Sequence, residues 1–134
     1  MHIQLTYNEI LNYMKSKFHV EPTVEVIDNK TIRISYKMGM FVPTINVNLR
    51  VDSVSEETIA LSYECSSIVN GLLSGAIGFI EQKIPKHQLE ILPDAKRILV
   101  HLDAFKELEK VLAVVEPTDI TFNNNAVVLN MALT

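Results

Sequence analysis

The chain has 134 residues, a length typical of one domain, and we expect residues 1–134 to form a single domain. Hydrophobic residues make up 48% and charged residues 21%, which excludes an intrinsically disordered chain. The net charge of −4 argues against a nucleic-acid-binding protein, because such proteins carry a basic face. The single cysteine, Cys65, excludes an internal disulfide framework and a multi-cysteine metal site.

The first predicted element is an amphipathic helix from Thr6 to Phe18. Thr6 followed by Glu9 fits a capping box, which satisfies two backbone N–H groups at the helix start. Its apolar residues recur at the i, i+3, i+4 and i+7 spacing of one helical face. They are Tyr7, Ile10, Leu11, Met14 and Phe18.

Apolar and polar residues then alternate with a period of two, which predicts antiparallel strands with one buried face. Asp28–Lys30 and Ser53–Glu57 are turn-prone and separate successive strands. The alternating runs are Val24–Val26, Ile32–Met38, Ile45–Asp52 and Ile59–Cys65. Cys65 falls in phase with the apolar residues of its strand, so we expect a buried and unreactive thiol.

A second helix is predicted from Ser67 to Lys83, and apolar residues cover most of its circumference. The pattern predicts a central helix that the sheet surrounds. Gly71, Gly75 and Gly78 lie within it, although glycine costs a helix interior about 1 kcal/mol relative to alanine. Close approach to another backbone is the natural reason for three glycines, and Gly75→Leu is then expected to overpack the contact.

The remaining chain again alternates, around a short third helix that Asp103 is expected to cap. All five prolines are expected to lie between elements. We therefore expect an α+β fold, with a curved, mostly antiparallel sheet of about seven or eight strands around the central apolar helix. The last predicted strands are Leu89–Ile91, Ile98–Leu102, Ile120–Phe122 and Val127–Leu133.

Catalytic signals are weak throughout the chain. His101 and Asp103 stand two apart on a predicted strand, but local spacing provides no third metal ligand. The glycines of the second helix match no phosphate-binding loop. The sequence therefore predicts no enzyme, no metal site and no cofactor.

This order of elements resembles the tubular lipid-binding superfamily, in which a strongly curved antiparallel sheet wraps a long helix. The resemblance covers Tyr7 to Leu133 and rests on topology and on the apolar segment Ile68–Ile80. It implies an apolar-ligand or lipid-binding role without catalysis.

The apolar second helix suggests a groove for such a ligand, with a cationic headgroup site at its mouth. The candidate apolar residues are Leu72, Leu73, Ala76, Phe79 and Ile80. The candidate headgroup residues are Lys83, Lys86, Lys96 and Arg97. Cations that follow a helix also stabilise its C-terminal dipole, which explains these residues without a ligand.

We therefore expect a non-catalytic binding module for an apolar or amphipathic, lipid-like ligand. The alternative is a protein-interaction or assembly domain with a solid core, whose partner is another protein or a second copy. No nucleic acid and no transmembrane segment are expected. The N-terminus lacks a basic region followed by an apolar run, so we expect a soluble, cytoplasmic protein, with peripheral membrane association left open.

Overall fold

The computed structural model describes residues 1–134 apart from 38, 39, 41–43, 56 and 66–69, and it describes 70–73 and 76 by their backbone alone. Within these residues the fold is α+β, as predicted, with three α-helices and nine antiparallel strands. The helices are α1 (Tyr7–Phe18), α2 (Asn70–Lys83) and α3 (Glu109–Leu112). The strands are β1 (His2–Thr6), β2 (Thr23–Asp28), β3 (Thr31–Tyr36), β4 (Ile45–Ser55), β5 (Thr58–Cys65), β6 (Leu89–Leu92), β7 (Arg97–His101), β8 (Val115–Phe122) and β9 (Ala126–Leu133).

The described strands form two sheets, so the predicted single sheet of seven or eight strands is wrong. One sheet has the order β1-β9-β8 and the other the order β2-β3-β4-β5-β7-β6. The first sheet joins the two ends of the chain, because β1 pairs with β9 from His2↔Asn130 to Thr6↔Ala126. Alternation along a strand predicts which face is buried but carries no information about the pairing partner.

The hydrophobic core lies between the two sheets. Ile32, Val51 and Ile59 come from the six-stranded sheet, and they form one buried cluster with Ile120 and Phe122 of β8. All five belong to the apolar phase of their strands. The alternation predicted from sequence therefore identifies the faces that the two sheets bury against each other.

Polar contacts of the β2–β3 turn also join the sheets. The Phe122 N–H donates to the Asn29 carbonyl over 2.8 Å. The Lys30 ammonium contacts the Asp119 carboxylate and donates to the Ile120 carbonyl over 2.8 Å. These contacts join β8 of the three-stranded sheet to the turn that connects β2 and β3 of the six-stranded sheet.

Asp28 stabilises that turn through its carboxylate. Its Oδ1 accepts the Lys30 N–H at 2.8 Å. This hydrogen bond, together with weaker contributions from Thr31 and Arg50, lowers the pKa of Asp28 below its ordinary value. The turn is thus most stable when this carboxylate is ionised.

Helix α1 begins with the predicted capping box. The Glu9 N–H donates to Thr6 Oγ1 over 3.1 Å, and the Glu9 carboxylate accepts the Thr6 N–H at 3.4 Å. The Tyr7 hydroxyl donates to the Asn123 carbonyl over 2.8 Å, which ties the helix to the β8–β9 turn. Partial burial raises the pKa of Tyr7. The strand β1 that precedes this helix was not predicted.

Helix α2 does not pack through the two glycines that the structure describes fully. A Cβ placed on Gly75 or Gly78 would have no neighbouring atom within 4 Å. Ser74, Gly75 and Phe79 are exposed, so this side of α2 faces solvent. The predicted close approach at Gly75 and Gly78 is therefore wrong. The expected start of the helix at 67–69 lies outside the described residues.

Two further predictions in the C-terminal part are corrected. The third helix is a single turn, α3, which follows two 3₁₀ turns at Leu102–Ala104 and Lys106–Leu108, and no side chain caps it. Asp103 therefore lies in a 3₁₀ turn instead of at the helix N-cap. Pro117 lies inside β8, which tolerates it because β8 is an edge strand with a bulge between Pro117 and Asp119.

Candidate ligand-binding groove

A groove of about 400 Å³ lies between the C-terminal part of α2 and the edge strand β6. Glu81 contributes the α2 side. The segment between α2 and β6 contributes Lys86 and His87, and β6 contributes all four of its residues. The helix ends at Lys83, two residues before Pro85, and the chain then returns along the groove as β6.

The floor of the groove is mainly apolar. Leu89, Ile91 and Leu92 are each half-buried, so part of every side chain remains available. The one acidic residue of β6, Glu90, is held by a neighbouring strand, because its Oε1 lies 3.4 Å from His101 Nε2. His101 Nδ1 in turn lies 3.4 Å from Thr58 Oγ1.

The backbone of β6 adds hydrogen-bonding groups to the groove. The His101 N–H donates to the Gln88 carbonyl over 2.8 Å, so Gln88 and every second residue after it bond to β7. Leu89 and Ile91 therefore direct their backbone groups away from β7. The Leu89 N–H donates to the Pro85 carbonyl over 3.1 Å, and the Ile91 N–H and carbonyl face the open side of β6.

The predicted headgroup cations do not converge on one site. Among the described residues, Lys86 is the one of the four that lines the groove. The Lys83 ammonium lies 5.7 Å from the centroid of the Phe79 ring. Lys96 occupies the β6–β7 turn with a positive φ of 52°. Arg97 pairs with Leu92, at the opposite end of β6 from Lys86.

Of the five predicted apolar residues, the structure describes the side chains of two, Phe79 and Ile80. Phe79 is 40% exposed and Ile80 is half-buried, and neither lines the groove. The side chains of Leu72, Leu73 and Ala76 lie outside the described part of the chain. Sequence reasoning missed the floor residues of β6. The signal that could have found them is a four-residue strand with three apolar residues, placed just after the cations.

A second concavity, of about 470 Å³, lies on the polar outer face of the six-stranded sheet. Arg33 lines this concavity and is already paired: its Nε donates to Asn48 Oδ1 over 3.0 Å, and a terminal nitrogen lies 3.7 Å from Glu25 Oε2. Hydrogen bonds and ion pairs between polar side chains of neighbouring strands are typical of a solvated sheet face. Its lining residues are Glu25, Arg33, Ser35, Asn46, Asn48, Glu64 and Cys65.

Cys65 stands at the rim of this concavity and is half-buried, so the expected full burial is wrong. The neighbouring inner-face residue, Tyr63, is buried. Burial is the main cause of the raised pKa of Tyr63.

Comparison of the chain with protein-family models, with curated proteins and with solved structures finds no match. Among the described residues, no helix has both the length and the hydropathy needed to cross a bilayer. The same part of the chain contains no cluster of three or more His, Cys, Asp or Glu side chains that could hold a metal ion. The groove beside β6 is therefore interpreted from its own geometry.

Proposed function

We propose that the protein is a non-catalytic binding module for an amphipathic, lipid-like ligand, and that the groove between α2 and β6 holds it. The observation that supports this most is a volume of about 400 Å³ that joins an apolar floor to an end lined by Lys86 and His87. Small-molecule sites have volumes of roughly 300–1,000 Å³ and combine apolar walls with a few placed polar groups. The resemblance to the tubular lipid-binding superfamily implies the same class of ligand.

The geometry suggests how the ligand lies. A carboxylate or phosphate head meets Lys86 and His87, and the hydrocarbon chain follows β6 over Leu89, Ile91 and Leu92. Four strand residues extend about 13 Å. Each buried methylene contributes about 0.8 kcal/mol before ordering costs, so a medium-length chain binds usefully. A central position of α2 in the fold, beside the six-stranded sheet, is part of this proposal.

A fluorescent medium-chain fatty acid, titrated into the purified protein, tests the proposal. Lys86→Glu should weaken binding about tenfold or more, because a charge-assisted hydrogen bond is worth about 1.5–3 kcal/mol. Lys110→Glu is the matched control. It makes the same change of charge at an exposed residue of α3 that does not line the groove. We expect this control to bind like the parent protein.

A cationic amphiphile of the same chain length separates head recognition from general apolar binding. An alkyl trimethylammonium should bind the parent weakly and Lys86→Glu more tightly. The absence of saturable fatty-acid binding at tens of micromolar probe, or equal binding by all three proteins, would contradict the proposed site.

The alternative function, a protein-interaction or assembly domain, is favoured by a different observation. The first strand and the residue before it expose an apolar side chain at every second position: Met1 is 68%, Ile3 45% and Leu5 48% exposed. These residues lie on the three-stranded sheet, whereas β6 belongs to the six-stranded sheet. The two surfaces can therefore be tested independently.

A further inference from the structure

The strand β1 is an edge of the three-stranded sheet, and its neighbour in that sheet is β9. Ile3 pairs with Leu129 and Leu5 with Val127, so the exposed apolar residues of β1 continue the apolar face of β9. That face belongs to the core between the sheets, where Val127 and Leu129 pack against Ile120 and Phe122. The apolar face of the sheet therefore extends beyond the part that the core covers.

The hydrogen-bond pattern of β1 shows which backbone groups lie on its open side. The Met131 N–H donates to the Met1 carbonyl over 2.9 Å, and the Tyr7 N–H donates to the Asn125 carbonyl over 3.2 Å. Odd-numbered residues of β1 therefore bond to β9, and even-numbered residues direct their N–H and carbonyl groups outward. The outward Thr6 N–H donates to the Glu9 carboxylate of the capping box.

Two residues thus present open backbone groups, His2 and Gln4. They are related by a simple symmetry, because Ile3 stands midway between them. If a second β1 lies antiparallel with Ile3 opposite Ile3, then His2 of each copy faces Gln4 of the other. Each such pair exchanges two hydrogen bonds, so four bonds form across the twofold axis.

Charge distinguishes β1 from the other edge strands of the described sheets. Edge strands commonly carry charges, proline or bulges that prevent pairing with another chain. Each of the other three carries acidic residues: Glu25 and Asp28 in β2, Glu90 in β6, and Glu116 and Asp119 in β8, which also contains Pro117. The stretch 1–6 carries no aspartate, glutamate, lysine or arginine, so its self-pairing brings no like charges together.

We propose that β1 is a homodimerisation edge, at which a second copy of this chain pairs antiparallel with Ile3 opposite Ile3. The three-stranded sheets of the two copies then form one continuous six-stranded sheet. On its apolar face, Met1 of one copy packs beside Leu5 of the other. This register covers residues 1–5 and ends before Tyr7, so α1 stays outside the pairing.

The size of the dimer interface determines how tightly the two copies are expected to associate. Two short strands form an interface at the low end of the range for specific complexes, below about 1,200 Å². We therefore expect a dimer that dissociates on dilution. Sedimentation velocity of the full chain from about 1 µM to about 1 mM, with any affinity tag at the C-terminus, should show the conversion of monomer to dimer.

Gln4→Pro is the decisive variant. Proline removes the outward Gln4 N–H but leaves the bonds between β1 and β9, because those use the odd-numbered residues. The variant should melt like the parent and remain monomeric at every concentration. Gln4→Thr is the matched control, since it changes the same side chain and keeps the N–H, and it should dimerise like the parent.

Cysteine cross-linking tests the register. In a Cys65→Ala background, Ile3→Cys places two thiols in a directly opposite pair with a Cα–Cα distance of about 4.5 Å, which suits a disulfide. Leu5→Cys in the same background is the control, because the two thiols then lie about 13 Å apart. Oxidation should give a covalent dimer of the first variant alone.

Three results would overturn the proposal. A parent protein that stays monomeric over the whole concentration range would show that no second copy pairs with β1. A dimer that survives Gln4→Pro lies on another surface. Cross-linking of Leu5→Cys in preference to Ile3→Cys shows a different register.

Discussion

Replacement of Gly75 by alanine distinguishes the packing expected from the sequence from the packing that the structure shows. A Cβ at this position meets no atom within 4 Å, and the backbone of α2 is helical there. Alanine is better than glycine in a helix interior by about 1 kcal/mol, because it loses less backbone entropy on folding. We therefore expect Gly75→Ala to stabilise the protein by about 1 kcal/mol.

The corresponding shift in melting temperature follows from the size of the chain. Unfolding entropy is about 2.1 cal/mol/K per residue, so the 134 residues give about 0.28 kcal/mol/K. A stabilisation of about 1 kcal/mol should then raise the Tm by about 3–4 °C. Gly78→Ala should produce a similar rise, since a Cβ at Gly78 is equally unobstructed.

Differential scanning calorimetry of the variants provides the measurement. Gly75→Leu should be tolerated, in contrast to the loss of about 1–3 kcal/mol that overpacking produces in a filled site. Ala60→Leu is the control for such overpacking, because Ala60 is 6% exposed in the six-stranded sheet. A fall of several degrees for Gly75→Ala would show that another part of the chain packs closely on this side of α2 and would refute the reasoning.

Four further results are expected. Phe122→Ala should lower the free energy of unfolding in urea by about 3–5 kcal/mol, because the ring is 9% exposed at the centre of the core; a loss below about 1 kcal/mol would contradict that position. Lys30→Met should lower it by about 1–2 kcal/mol, since it removes the contacts with Asp119, and an unchanged urea midpoint would show that they do not join the sheets. The pKa of Asp28 is lowered in the folded state, so the stability that its carboxylate contributes is complete above about pH 4 and is lost as the pH falls through the lowered pKa. Asp28→Asn should therefore flatten this part of the pH profile of stability. Identical profiles for the variant and the parent would argue against the turn contact. A thiol reagent should label half-buried Cys65 more slowly in the folded protein than in denaturant, and equal rates would show that the fold does not shield it.

Local patterns predicted several elements well. The Thr6 and Glu9 pair identified the start of α1, because a capping box involves four consecutive residues and needs no tertiary contact. Alternation identified β3 and β9 and placed Ile32 and Val127 on the core side. Strand β1 was missed because its five residues depend on pairing with β9 at the other end of the chain.

The candidate site was less predictable. The cations after α2 were recognised, but Lys83, Lys86 and Arg97 were grouped by their closeness in sequence. In the structure, β6 separates Lys86 from Arg97, and Lys83 lies over the Phe79 ring. Side chains that are close in sequence converge in space only if the backbone between them turns back. An extended strand instead separates the residues at its two ends.

The sequence by itself determined the α+β class, the helix start at Thr6 and the apolar face of most strands, because these depend on spacing along the chain. The tertiary structure alone decided that the strands divide into two sheets and that β1 and β6 are edges. It also decided that Gly75 faces open space. These features depend on which distant segments bury their apolar faces together, and the period of a single strand is the same whichever partner it finds.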